Sequence, residues 1–313
     1  MSLISSLTKP PALNQGDTIA IVSTAKHMAK DELLEAKKRL ESLGYNVQIP
    51  EANFNKYGIF AGDSAHRLQA LHEAFENPEI NAIMCSRGGV GTHKIVDKVD
   101  YELIANNPKI FCGFSDVTYL LHAIMNKSRL VTYHGLMMVG LADKSNPVST
   151  TTLKQVFSGD ISTPYTFGVP DGVKCVSEGQ CSGPLIGGNL AILSTLVGTK
   201  HDFVTDDCIL FIEDINEELY NIDRLLNHLR RAGKFDNING VIFGEIDGVS
   251  DRLNYGLSLH EILEKYFKDI PVVMDYPCGH GTRIAMMPMG VSATLNVMEQ
   301  ETILSFNEST VSI

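Results

Sequence analysis

Short apolar runs that stop abruptly at polar or glycine-rich residues, each followed by helical periodicity, constrain this chain more than any other feature. Thr18–Ser23 (TIAIVS) is a compact apolar run opened by Gly16-Asp17, as in a strand buried within a parallel sheet. Leu33, Ala36, Leu40 and Leu43 then recur at helical spacing, and Gly44 supplies a C-terminal stop. Val47–Ile49 reads as the next short strand. Asp63 is placed to cap a helix carrying Leu68, Leu71 and Phe75, which Asn77-Pro78 ends. Further strands are Ile80–Cys85, Ile110–Gly113 and Leu130–His134. This alternation predicts an α/β fold built on an open, mostly parallel sheet.

The pattern changes between about Ser158 and Gly183. Gly159, Pro164, Gly168, Pro170, Gly172, Gly179 and Gly183 fall there with little periodicity, which predicts a domain connection. The expected division is an N-terminal domain over 1–158, a linker over 159–182 and a C-terminal domain over 183–313. A second βα pattern follows the linker: strand Cys208–Glu213, helix Leu219–Arg231, strand Val241–Phe243, helix Leu259–Phe267 and strand Val272–Met274. Gly290–Leu295 and Thr302–Phe306 alternate like antiparallel strands.

At 313 residues the chain is long enough for two modest domains, each with its own core. A net charge of −11 repels nucleic acid and anionic membranes, and the basic cluster Arg224, Arg230 and Arg231 reads as a solvated helix face. The first residues lack the apolar core of a signal peptide, and no stretch approaches the ~18 apolar residues of a membrane span. Six cysteines stand singly without a CxxC pair, as reduced thiols do in a cytosol. These features predict a cytoplasmic protein with neither nucleic acid nor membrane as partner.

Polar residues sit where three apolar strands stop, which is where open α/β sheets bind ligands. Cys112-Gly113-Phe114-Ser115-Asp116 follows Ile110–Gly113 and precedes a helix-like Val117–Met125. A serine on such a turn exposes its hydroxyl beside backbone N–H groups at a helix start. Ser115 or Asp116 could equally cap that helix. Ser86-Arg87-Gly88-Gly89-Val90-Gly91 follows Ile80–Cys85 and matches neither G-x-G-x-x-G nor a P-loop. An oxyanion hole or a plain tight turn both fit it. Ile212-Glu213-Asp214 and Cys278-Gly279-His280-Gly281 add an acid and a histidine, the partners a serine nucleophile needs. His260-Glu261 lacks the second histidine of H-E-x-x-H and no other cluster has zinc-ligand spacing, so neither metal nor cofactor is expected. Met286-Met287-Pro288-Met289 reads as a hydrophobic wall.

Together these segments resemble one family. Gly16–Ser23, Ala61-Gly62 with Arg67–Phe75, Ser86–Gly91, Gly113–Asp116, His134-Gly135, Gly183–Leu190, Ile212–Arg224 and Gly279–Gly290 reproduce, in order, the running pattern of the serine LD-carboxypeptidases, which include the microcin C self-immunity proteins. The resemblance implies a Rossmann-like N-terminal domain, a swivelling β/β/α-type C-terminal domain and a site between them. It implies a triad of Ser115 as nucleophile, His280 as general base and Glu213 as the carboxylate orienting it, with Asp214 and Glu217 close by in sequence. It also implies an oxyanion hole from the N–H groups of Gly89 or Gly88 and of Asp116. Arg87 either pairs with a substrate carboxylate or holds its loop through a backbone carbonyl.

The resemblance further implies a homodimer and a role in peptidoglycan recycling: release of D-alanine from the L-lysine or meso-diaminopimelate of a murein tetrapeptide. The self-immunity branch instead cleaves an aminoacyl-nucleotide bond and stacks the base on an aromatic-rich loop. This chain has no Trp, and Tyr165 and Phe167 are the candidate stacking residues, so the muropeptide branch is the expectation. A non-catalytic ligand-binding protein of the same fold is the remaining alternative, which the presence of all three triad residues disfavours.

Overall fold

The computed structural model describes residues 7–142, 150–281 and 283–313. Five short strands of the first half form a parallel sheet: β1 (Thr18–Val22), β2 (Asn46–Gln48), β3 (Ala82–Cys85), β4 (Ile110–Gly113) and β5 (Thr132–His134). β1, β3 and β4 are almost wholly buried, which is why they read as continuous apolar runs rather than alternating ones. The helices lying between them include α1 (Lys30–Glu41), α2 (Ser64–Glu76), α3 (Tyr101–Asn106) and α4 (Thr118–Ser128). As expected, Asp63 caps α2, its side chain accepting from the His66 N–H at 2.9 Å.

After α5 (Met138–Ala142) and α6 (Thr151–Ser158), the chain builds a second sheet. Its strands are β6 (Tyr165–Gly168), β7 (Lys174–Ser177), β8 (Gly179–Asn189), β9 (Ile209–Ile215), β10 (Gly240–Asp247) and β11 (Val272–Tyr276), with β13 (Ser292–Val297) and β14 (Glu301–Phe306) added later. Their order is β6-β14-β13-β8-β9-β10-β11-β7. The centre, β8 to β11, is parallel, and the strands outside it pair antiparallel. Helices α7 (Leu190–Leu196), α8 (Leu219–Arg231) and α9 (Leu259–Phe267) accompany the parallel part. The mixed α/β architecture with two sheets is the one expected.

One segment differs from its sequence reading. The stretch 159–182, expected as a linker, contains β6, β7 and the start of β8, all hydrogen-bonded into the second sheet. Its glycines and prolines mark turns between short edge strands, which carry too few residues to show a period. In the other direction, β12 (Met287–Met289) leaves the C-terminal part and pairs antiparallel with β5, completing a first sheet of order β12-β5-β4-β3-β1-β2. Pro288 is tolerated because β12 is that sheet's edge.

The two sheets meet where α4 faces the end of β8. His122 of α4 bonds the Gly187 carbonyl at 2.9 Å, and the Thr118 hydroxyl accepts from the Asn189 N–H at 3.3 Å. Asn189 pairs in register with Glu213 on β9. This contact therefore brings the carboxyl end of β9 up to the turn at the start of α4.

Candidate active site

β4 delivers the chain into a tight turn at Ser115. Phe114 is still extended, Ser115 has φ of +62°, and a 3-10 turn Ser115–Val117 leads into α4. A left-handed backbone at a non-glycine residue costs on the order of 1–2 kcal/mol and persists only where surrounding structure imposes it. Neither Ser115 nor Asp116 caps the helix: Phe114 and Val117 occupy the cap positions, with no side-chain cap bond. The Asp116 carboxylate instead accepts from the Thr92 N–H at 2.8 Å, tying this turn to the loop after β3.

That glycine-rich loop runs directly over the serine. A Cβ built on Gly88 would lie 2.9 Å from Ser115 Cβ, 3.1 Å from its Oγ and 3.3 Å from the Asp116 nitrogen. Only a residue without a side chain lets the backbone come this close to the hydroxyl. Arg87 is partly buried, its Nε is buried without a partner, and it makes no hydrogen bond or ion pair with a described residue. The bond to a loop carbonyl weighed from sequence is therefore not formed with any described residue.

His280 and Glu213 meet across the second sheet. The imidazole Nδ1 lies 2.7 Å from Glu213 Oε2, with the glutamate side chain fully buried and the histidine side chain 15% exposed. Glu213 Oε1 is buried without a partner among the described residues. The backbone crowds this carboxylate, since a Cβ on Gly279 would sit 3.1 Å from Glu213 Oε2. Phe114, the residue before the serine, lays its ring 4.8 Å from the His280 ring, so the imidazole flanks the serine turn. Burial pulls the His280 pKa down, but the Glu213 bond and the charges of Glu213, Asp214 and Asp247 outweigh it, and the net shift is upward.

The neighbouring acids are committed elsewhere. Asp214 accepts from Asn189 Nδ2 and from the N–H groups of Ala191 and Ile215, each at 2.9 Å. Burial, then the adjacent Glu213 charge, push its pKa up to about 6. Glu217 accepts from Asn221 Nδ2. Glu213 is thus the acid of its segment that reaches His280.

Residues without a distinctive sequence signal support the histidine loop. His134, fully buried at the end of β5, bonds the Cys278 carbonyl at 2.8 Å, and burial lowers its pKa, which favours the neutral form. Arg283 pairs with Asp171 at 3.0 Å and lies 3.6 Å from Glu245. No spacing rule links Asp171, Glu245 and Arg283, which are neighbours only once the second sheet forms. His134 was visible as part of His134-Gly135, though without a role.

Among the described residues, no group of three or more His, Cys, Asp or Glu is arranged to hold a metal ion, and no helix is long and apolar enough to cross a membrane.

Comparison with known proteins is consistent along the whole chain. The profile of the LD-carboxypeptidase N-terminal domain matches residues 19–135, and that of the LD-carboxypeptidase C-terminal domain matches residues 182–295. A probable murein peptide carboxypeptidase of Bacillus subtilis (strain 168) is 36% identical over 305 residues, covering 95% of this chain and 94% of the relative. Two solved structures share the fold. The microcin C7 self-immunity protein in complex with aspartyl sulfamoyl adenosine superposes with a TM-score of 0.87 at 23% identity, covering 97% and 99% of the two chains. The muramoyltetrapeptide carboxypeptidase of Oxalobacter formigenes gives 0.80 at 24%, covering 93% and 99%.

Proposed function

Since the chain belongs to the LD-carboxypeptidase family, we propose that it is a serine hydrolase with Ser115, His280 and Glu213 as its triad, releasing D-alanine from murein tetrapeptides. The observation that carries this reading is the buried Glu213–His280 bond beside a serine held at positive φ under a glycine backbone. Glu213 holds the proton on Nδ1, which leaves Nε2 to act as base. Ser115 Oγ forms a bond to the scissile carbonyl carbon as its proton passes to His280. The resulting oxyanion rests on the N–H groups of Gly88 or Gly89 and of Asp116. Collapse breaks the C–N bond, His280 returns the proton to the leaving amine of D-alanine, and water then hydrolyses the acyl-enzyme by the same route.

The charges of the site favour an ammonium group on the L-residue next to the scissile bond, which L-lysine carries alone and meso-diaminopimelate carries beside a carboxylate. Glu213, Asp214 and Asp247 all act on the imidazole. Arg87, without a partner among the described residues, supplies a fork for the terminal carboxylate of the leaving residue. The murein assignments of related carboxypeptidases point the same way. The six free thiols suit a reducing cytoplasm, where such peptides would be recycled, and the homodimer rests on resemblance to the family.

A second reading, cleavage of aminoacyl nucleotides, is favoured by one observation: Tyr165 and Phe167 line a cavity of about 370 Å³ together with Arg283. Tyr165, however, is 4% exposed and packed edge-on against Phe306, and Phe167 meets Tyr276 edge-on. One reported ligand of the self-immunity protein is aspartyl sulfamoyl adenosine, whose acidic side chain would face this carboxylate-rich site.

Purified protein should convert a free murein tetrapeptide to tripeptide plus D-alanine, scored by product mass, and should leave aspartyl sulfamoyl adenosine intact. Cleavage of the aspartyl sulfamoyl adenosine alone would overturn the substrate. Ser115→Ala should lose roughly four or more orders of magnitude in kcat while remaining folded. Near-normal turnover by that variant would remove Ser115 from the mechanism.

A further inference from the structure

Arg67 is among the largest fully buried side chains in the molecule, 2% exposed, and the mechanism above gives it no part. Its guanidinium stands on α2 and reaches under the sheet's carboxyl edge. Nη1 donates to the Thr24 carbonyl at 2.5 Å and to the Gly91 carbonyl at 2.9 Å, and Nη2 donates to Ser64 Oγ at 3.2 Å. The face of the guanidinium lies 5.2 Å from the Phe60 ring centroid. The Asp116 carboxylate, 3% exposed, acts on this cation without a direct bond to it.

Two of these contacts converge on one peptide unit. The Gly91 carbonyl accepts from Arg67, and the Thr92 N–H, on the other side of the same peptide bond, donates to Asp116. A peptide plane held at both its oxygen and its nitrogen has its orientation fixed, because the unit is rigid. The plane held here closes the loop Ser86–Gly91, whose Gly88 backbone lies against Ser115 Oγ. The acid holding it is the residue after Ser115, whose own N–H is the other proposed oxyanion donor. The Thr24 carbonyl brings the loop after β1 into the same grip. The loops following three adjacent strands are therefore tied together. Gly91 is matched to this arrangement: its φ is +138°, and a Cβ there would lie 2.8 Å from Arg67 Nη1.

We infer that Arg67 and the Asp116 side chain are positioning residues that clamp the Gly91–Thr92 peptide and so set the distance between the two halves of the oxyanion hole. The inference rests on the reading of Ser115 as nucleophile. A buried cation and a buried anion that do not bond each other directly are costly for stability alone, so their use here suits a need for fixed geometry. Neither residue touches the substrate, and both act through the backbone. An oxyanion donor displaced by a fraction of an ångström loses much of its value, because it is worth most at 2.7–3.1 Å from the developing charge.

The test separates transition-state from ground-state binding. An aldehyde analogue of the acyl part of the substrate adds to Ser115: the Oγ–C bond forms, the C=O π bond opens, and the Oγ proton moves to His280. The hemiacetal oxygen then fills the oxyanion hole, whereas the tripeptide product does not engage it in this way. Arg67→Met should lower kcat about 100-fold with KM within about threefold of wild type. Affinity for the aldehyde should fall by the same factor as kcat, with product affinity unchanged. Arg67→Lys should recover part of the loss. Asp116→Asn should show the same pattern to a smaller degree, and it carries the test if Arg67→Met does not fold. Normal kcat in the folded variants, or equal losses of aldehyde and product affinity, would overturn the clamp and leave the triad standing. A wild-type enzyme that forms no adduct with the aldehyde would overturn the reading of Ser115 and the clamp with it.

Discussion

At the scale of the residue, the site is set by a few groups whose chemistry depends on burial. Glu213 can be an effective partner for His280 because it is fully buried and its Oε2 is spent on Nδ1. The consequence is a prediction about pH. A general base must be neutral, and the net upward shift of His280 means that it stays protonated to a higher pH than an ordinary histidine near 6.5. The acid limb of kcat/KM should therefore have its midpoint above 6.5, with activity lost as pH falls through it. Glu213→Gln should move that midpoint down while lowering the plateau rate, as pH-rate profiles of both proteins would show. An unmoved limb would mean that another group controls it. Ser115, Glu213 and His280 were legible because each stands at the end of an apolar run. Arg67 was visible within a repeated family pattern, but its role was not. Its partners Thr24, Gly91 and Asp116 are scattered along the chain and meet only in three dimensions.

At the scale of the element, β8 shows how one strand serves two kinds of sheet. Residues Gly179–Pro184 pair antiparallel with β13, and Leu185–Asn189 pair parallel with β9. The second part is buried and contains Gly187, where a Cβ would come within 1.7 Å of the Phe211 carbonyl oxygen. Gly187→Ala should therefore force β8 and β9 apart and cost about 3 kcal/mol or more. Urea unfolding would show it as a lower midpoint at unchanged slope. Long helices were the easiest elements to read: Leu219–Arg231 and Leu259–Phe267 were placed to the residue, because their apolar stripes span two or more turns. β6, β7 and β12 were not, since strands of three or four residues at sheet edges leave almost no periodicity, and β12 includes a proline.

At the scale of the whole molecule, charge and architecture act together. The protein carries a net charge of −11, and the carboxylates around His280 add a local field of the same sign. A tetrapeptide with L-lysine in the third position should be cleaved with kcat/KM at least about tenfold above that of an analogue with glutamate there, and the gap should narrow as salt rises. Equal rates at low ionic strength would show that this field does not select substrate. The two-sheet plan was legible from the repeated βα pattern. The exchange of strands between its halves was not, because pairing between distant segments leaves no local trace.

That exchange has a consequence for how the protein comes into being. The Ser115 turn is made early, but its sheet stays open at β5 until Met287–Met289 arrives, a few residues after His280. During synthesis, both His280 and that closing strand follow Ser115 by more than 160 residues. A nascent chain that has passed Ser115 but not His280 therefore carries the serine of the proposed triad without its histidine, and on that proposal it is not yet competent for hydrolysis.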